Sequence, residues 1–224
     1  MTRRMSLAWP DARPFQGRDG RPLRILAASD EPDPALDILA NREKLGPIDL
    51  VVGCGDLSPE RLGFLADAFR APLVYVRGNH DRGGPWRDPA HVPVDAPGRD
   101  ERTLAGISLL GLPWPGHRGD MARRDDWVAW RQVLGPILDG PLHHRTWLVF
   151  SHAPPLGYGD TPDDPYHVGF RPYRVLLDRV SPPLWLHGHT NCSDRPDRTT
   201  TAGHTTLVNV TGSVLIELEP PTGQ

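Results

Sequence analysis

Residues 72–81 read "PLVYVRGNHD". Residues 72–78 have the length and the apolar character of a buried strand, and the last positions bring Asn79, His80 and Asp81 just past a glycine. A strand released onto an amide, an imidazole and a carboxylate puts chemistry at the edge of a sheet. Two upstream segments repeat the arrangement: "LRILAAS" (23–29) runs into Asp30, and "IDLVVGC" (48–54) runs through Gly55 into Asp56. Between them lie "ALDILANREKL" (35–45), whose Leu36, Leu39 and Leu45 suit an amphipathic helix, and "PERLGFLADAF" (59–69), with Pro59 at the first helical position. This βαβαβ rhythm predicts a sheet covered by helices.

Downstream of a Pro, Gly and Asp loop the pattern resumes. "GISLLGLPW" (106–114), "RTWLVFS" (145–151) and "PLWLHG" (183–188) read as strands. A helix is expected over 121–138, with Trp127, Trp130, Val133 and Leu134 as its apolar stripe, and a short one near 171–179. "TTLVNVTGSVLIELE" (205–219) carries a β-hairpin signal around Gly212. We expect one domain over 23–219, an N-terminal extension over 1–22 and a tail over 220–224. Trp9 and Phe15 in the extension are candidates to pack back onto the domain or onto a neighbouring chain.

Composition narrows the function. The 224 residues suffice for one α/β domain with a full core. A formal charge of -3 gives no broad basic field, which disfavours a nucleic acid polymer as partner. No run approaches the roughly 18 apolar residues of a membrane span, and residues 1–20 lack the apolar core of a secretory signal. With only Cys54 and Cys192, no disulfide framework is expected, so the chain reads as cytoplasmic with reduced thiols.

The polar clusters all follow apolar strands: Asp30, Asp56, the triplet 79–81, His152 in "SHAPP" and His189 in "HGHTN". Singly, such an Asp is often a helix cap and such a His a scaffold residue. Five of them at the carboxyl ends of strands, where loops of an open α/β sheet converge, make one site. Their order resembles the calcineurin-like metallophosphoesterase superfamily, whose pattern runs DxH, GD, GNHD, H and GHxH. "VNVTGSV" (208–214) is also similar to that family's closing strand turn.

The resemblance implies a four-layer α/β/β/α sandwich and a centre of divalent metal ions, Mn, Fe, Zn or Mg. One ion would be held by Asp56, Asn79, His152 and His189. His80, assisted by Asp81, would be the acid that protonates the leaving oxygen while metal-bound hydroxide attacks phosphorus in line. The sequence departs from the pattern at two positions of the other ion's site, where Pro32 and Asn191 stand in place of histidines. Asp30, Asp56 and the amide oxygen of Asn191 remain there, an oxygen-rich set suited to harder ions. A weak hard-metal site, a vacant one and a degenerate protein are all compatible with these residues.

His187 is expected to support the site by hydrogen bonding. Arg77, His117 and His167 are the candidate substrate contacts. The expected function is hydrolysis of a small phosphomonoester, phosphodiester or nucleotide; the alternative is a non-catalytic metal-binding or regulatory relative of the same fold. Retention of His80, which merely holding a metal does not require, favours catalysis. The native metal, the physiological substrate and the oligomeric state are not encoded in any motif.

Overall fold

The computed structural model describes residues 2–81, 92–93, 102–117, 120–143, 146–190 and 198–221. The strands are β1 (Arg3–Ala8), β2 (Leu23–Ser29), β3 (Leu50–Cys54), β4 (Leu73–Val76), β5 (Val92–Pro93), β6 (Arg102–Leu104), β7 (Ile107–Leu112), β8 (Gly116–His117), β9 (Asp120–Arg124), β10 (Trp147–Ser151), β11 (Leu184–His187), β12 (Thr199–Ala202), β13 (Thr205–Asn209) and β14 (Gly212–Glu219). The helices are α1 (Leu39–Leu45), α2 (Pro59–Phe69), α3 (Asp126–His143) and α4 (Arg171–Val180). One sheet has the order β1-β14-β2-β3-β4-β5, the other β12-β13-β11-β10-β7-β6, and β8 and β9 form a small sheet of their own.

Strand alternation explains the layers. In β2, Ile25 and Ala27 join the core between the two sheets, while Leu26 and Ala28 join a second core under α2 and α1. In β10, Leu148 and Phe150 face the first sheet, and Trp147 and Val149 face α3 and α4. Both faces of the central strands are therefore buried, which is why they read as continuous apolar runs. The result is the α/β/β/α sandwich expected from sequence, with three apolar layers between four structural ones.

Four expectations are corrected. The segment 35–45 is split by extended Ile38 into a 3-10 turn, Pro34–Asp37, and α1; Leu36 is buried but Leu39 faces outward. The third helix starts at Asp126 rather than 121, because the Asp125 carboxylate accepts from the amides of Trp127 and Val128 and caps it there. Of its expected stripe, Val133 is buried, whereas Trp127 and Leu134 are exposed.

The segment 205–219 is no hairpin. The strand β13 lies parallel to β11 in one sheet, and β14 lies antiparallel to β2 in the other. The chain crosses between sheets at residues 210–211, just before Gly212, which has φ 78°. The N-terminal extension packs back onto the domain, one of the two arrangements expected for Trp9 and Phe15. The strand β1 pairs in parallel with β14, and Trp9 and Phe15 are buried in the core between the sheets.

Trp9 is only 1% exposed, so truncating it opens a cavity in the central core. Trp9→Ala is expected to cost about 3–5 kcal/mol of unfolding free energy in equilibrium denaturation. A change within the spread of a surface substitution would show the segment to be an appendage.

Candidate metal centre

Because β2, β3 and β4 are parallel, their carboxyl ends share one edge; β10 and β11 do the same in the facing sheet. Asp30, Asp56 and Asn79 therefore meet His152 and His189 where the two edges come together. Asp30, Asp56 and His152 each offer a ligand atom, and these atoms lie within 4.8 Å of one another. Asp30, Asp56 and His189 have φ of 59°, 58° and 66°, left-handed backbone that turns each side chain back toward the cluster.

His152 is fully buried and its tautomer is fixed by its neighbours. Nδ1 donates to the Cys54 carbonyl at 2.8 Å, which leaves the Nε2 lone pair facing Asn79 Oδ1 at 2.8 Å and Asp56 Oδ2 at 3.3 Å. Three electron-rich atoms pointing at one another need a positive centre among them. Turning the Asn79 amide over relieves one contact and leaves the Asp56 oxygen unanswered.

The electrostatics agree. Burial opposes the His152 imidazolium, but the Asp56 hydrogen bond and the charges of Asp30 and Asp56 outweigh it and raise the pKa. Burial likewise opposes charge on Asp56, yet His152 and the His80 amide, which donates to Oδ1 at 2.8 Å, hold its carboxyl below the usual range. The donor set of carboxylates, amide oxygen and imidazole fits a divalent ion of borderline hardness.

Glycine makes the approach possible. A β-carbon on Gly78 would sit inside the contact distance of the Asp56 carboxylate and 2.8 Å from His152 Cε1, which explains the residue before Asn79. Asp81 clamps the same loops: its Oδ2 accepts from the amides of Gly78 at 2.7 Å and Asp56 at 2.9 Å. Among the described residues no hydrogen bond links Asp81 to the His80 ring, so its visible work is to position Asp56.

The remaining sequence candidates are placed as follows. His189 packs its ring 4.8 Å from that of His152 but stands outside the three-residue group. Its Nε2 donates to the Tyr166 carbonyl at 2.8 Å, leaving Nδ1 as the lone-pair atom. Burial, followed by the charge of His152, holds His189 neutral with a pKa lowered to about 3. Burial does the same to His187, at about 4; it does not line the cavity.

Asp30 accepts from the His189 amide and from Thr211 Oγ1 at 3.1 Å. Pro32 lines a separate cleft with Arg3 and Arg198, and Asn191 lies outside the described residues. His117 pairs with Asp125 at 2.9 Å, and Arg77 gives its carbonyl to the Trp114 amide; neither lines the cavity, whereas His167 does.

That cavity, about 740 Å³, is lined by Asp30, Asp56, Asn79, His80 and His189, and also by residues that sequence reading missed. These are Trp114, Asp120, Arg123, Arg124 and Tyr166. Among these only Tyr166 adjoins a sequence candidate, His167; β9 carries no motif. Asn209 and Thr211 were also missed. Asn209 Nδ2 holds Thr190 in the turn after His189, and Asn209 Oδ1 accepts from the Thr211 amide, which brings the Thr211 hydroxyl to Asp30.

Two facing mixed sheets with carboxylates, an amide and imidazoles at their joined edges define a metallophosphoesterase architecture. The chain belongs to the calcineurin-like phosphoesterase family, whose profile matches residues 23–193. A crystal structure of TT1561 of Thermus thermophilus is similar over 85% of this chain and 90% of that one, with a TM-score of 0.59 and 16% identity. A second crystal structure aligns over 88% and 95% of the two chains, with a TM-score of 0.56 and 15% identity. These likenesses concern the fold. No curated protein sequence matches.

Two outcomes follow for binding. A proton on His152 and a cation compete for the same lone pair, so Mn binding at neutral pH is expected to release protons and to weaken on acidification. Calorimetry in buffers of different ionisation enthalpy reads this, and binding without proton release would remove His152 from the site. Gly78→Ala is expected to lower Mn affinity by about ten-fold or more while the unfolding midpoint stays near that of the parent.

Proposed function

We propose that the protein is a divalent-cation-dependent phosphoesterase that hydrolyses a small phosphomonoester, phosphodiester or nucleotide. The observation that carries this reading is the convergence of His152 Nε2, Asn79 Oδ1 and Asp56 Oδ2 on one point at the floor of a cavity that His80 also lines. An ion of the Mn, Fe, Zn or Mg type bound there would neutralise charge on the phosphoryl oxygens and acidify a water molecule.

The chain's own residues supply the rest. The His80 amide is tied to Asp56, which places the residue beside the centre, and His80 lines the cavity, where its imidazole can give a proton to the departing oxygen. Asp81 keeps the Gly78 and Asp56 loops in register, and Tyr166 sets the His189 tautomer. Asp30, with Asn191, is the oxygen-rich flank proposed to hold a second ion more weakly; the Thr211 hydroxyl and the His189 amide already answer part of its charge.

The loss of histidines at positions 32 and 191 favours the second reading, a non-catalytic metal-binding relative. Hydrolysis of aryl phosphate mono- and diesters with Mn separates the two. His80→Ala is expected to lower kcat by about 10²–10⁴, and Asp56→Ala to bring the rate to background. A parent protein no faster than Asp56→Ala would establish the binding module.

A further inference from the structure

The cavity is larger than the group the centre would act on. At about 740 Å³ it lies in the range, roughly 300–1,000 Å³, that encloses a whole small molecule. The rest of its lining comes chiefly from two segments outside the strand ends: the strand β9, with Asp120, Arg123 and Arg124, and the loop of Pro165, Tyr166 and His167.

The two arginines differ. Arg124 is committed to the fold: it donates to the carbonyls of Val168 and Gly169, pairs with Asp126 at 3.1 Å and lies 4.3 Å over the Phe170 ring. Arg123 is exposed and, among the described residues, makes no hydrogen bond or ion pair, with Asp120 included. It is an unneutralised guanidinium on the wall of a ligand-sized cavity.

Tyr166 is similar in kind. Its backbone is held at both ends, the amide by Asp164 and the carbonyl by His189, yet its side chain is 79% exposed. Trp114 lines the same cavity, with its ring 4.8 Å from that of His189. An exposed phenol ring on a rigid backbone presents an aromatic surface at low entropic cost.

Resting on the phosphoesterase reading, we propose that the substrate's leaving group carries a planar aromatic ring and a second anionic group. The ring lies against Tyr166 and Trp114, and the anion pairs with Arg123. The scissile phosphoryl is committed to Asp56, Asn79 and His80. Arg123, carried on β9 and without an acidic partner among the described residues, is available for another charge, and a guanidinium reads carboxylate or phosphate in two-pronged fashion.

Three phosphonates, which cannot be hydrolysed, test this by calorimetry with Mn present: methylphosphonate, phenylphosphonate and 4-phosphonobenzoate. Affinity is expected to rise at each step, by about ten-fold for the added carboxylate. Arg123→Gln should bring the ratio of 4-phosphonobenzoate to phenylphosphonate affinity to about one, and Tyr166→Ala should remove the gain from the ring. Arg131→Gln, an exposed arginine away from the cavity, should leave both ratios as they are. Equal binding of the three compounds overturns the proposal, as does an Arg123→Gln variant that keeps the preference or weakens all three alike. Turnover of aryl phosphates is scored separately: turnover without this order of affinities sinks the proposal alone, and the order without turnover sinks the hydrolase reading and leaves the ring and the anion as features of a bound ligand rather than of a leaving group.

Discussion

The hydrogen bond from His152 Nδ1 to the Cys54 carbonyl ties the two sheets together at their carboxyl edges, and the chemistry of the site depends on it. A carbonyl only accepts, so the contact assigns the proton to Nδ1 and turns the Nε2 lone pair inward. Without it His152 could offer a donor to Asp56 and Asn79, and the cluster would close on itself as an ordinary polar network. With it, an imidazole from one sheet and a carboxylate and an amide from the other share a need that only positive charge answers. Both partners of the bond are fully buried, so water cannot substitute for either.

Around that bond the backbone is held in conformations it does not favour. Three of the left-handed residues that are not glycine, Asp30, Asp56 and His189, carry side chains of the site. Each such conformation costs on the order of 1 kcal/mol, least for Asp and His, whose side chains tolerate it. The neighbours hold them there: the Asp81 carboxylate on the Asp56 amide, the Asp30 carboxylate on the His189 amide, and Asn209 on Thr190. The ligand loops are positioned chiefly by one another's backbone amides, which gives the centre its geometry ahead of any ion.

The central strands and their terminal residues were legible in the sequence because local facts determine them. A strand buried on both faces must be apolar throughout, and the residue after its last hydrogen bond must be what the edge requires. That is why Asp30, Asp56, Asn79, His152 and His189 could be named before any coordinates. Pairing is not local: β13 and β14 look like two arms of one hairpin, and only their separate sheets show otherwise. The start of α3 depended on which acidic residue capped it, and Asp125 took that role. The rest of the cavity lining was illegible because Trp114, Arg123 and Tyr166 come from unrelated stretches that the fold alone brings together. His117 and Arg77 do not line the cavity: the His117 ring pairs with Asp125, and the Arg77 carbonyl accepts from the Trp114 amide.

The placement of β1 at the margin of the first sheet has a bearing on folding. Its neighbour is β14, which also separates it from β2, so β1 has no partner in this sheet until residues 212–219 are in place. Trp9 is buried in the apolar layer between the sheets and Met5 packs against it, and Val214, Ile216 and Leu218 of β14 belong to the same layer. Closure of this edge of the sheet is therefore a step of high contact order, because it joins segments about 200 residues apart.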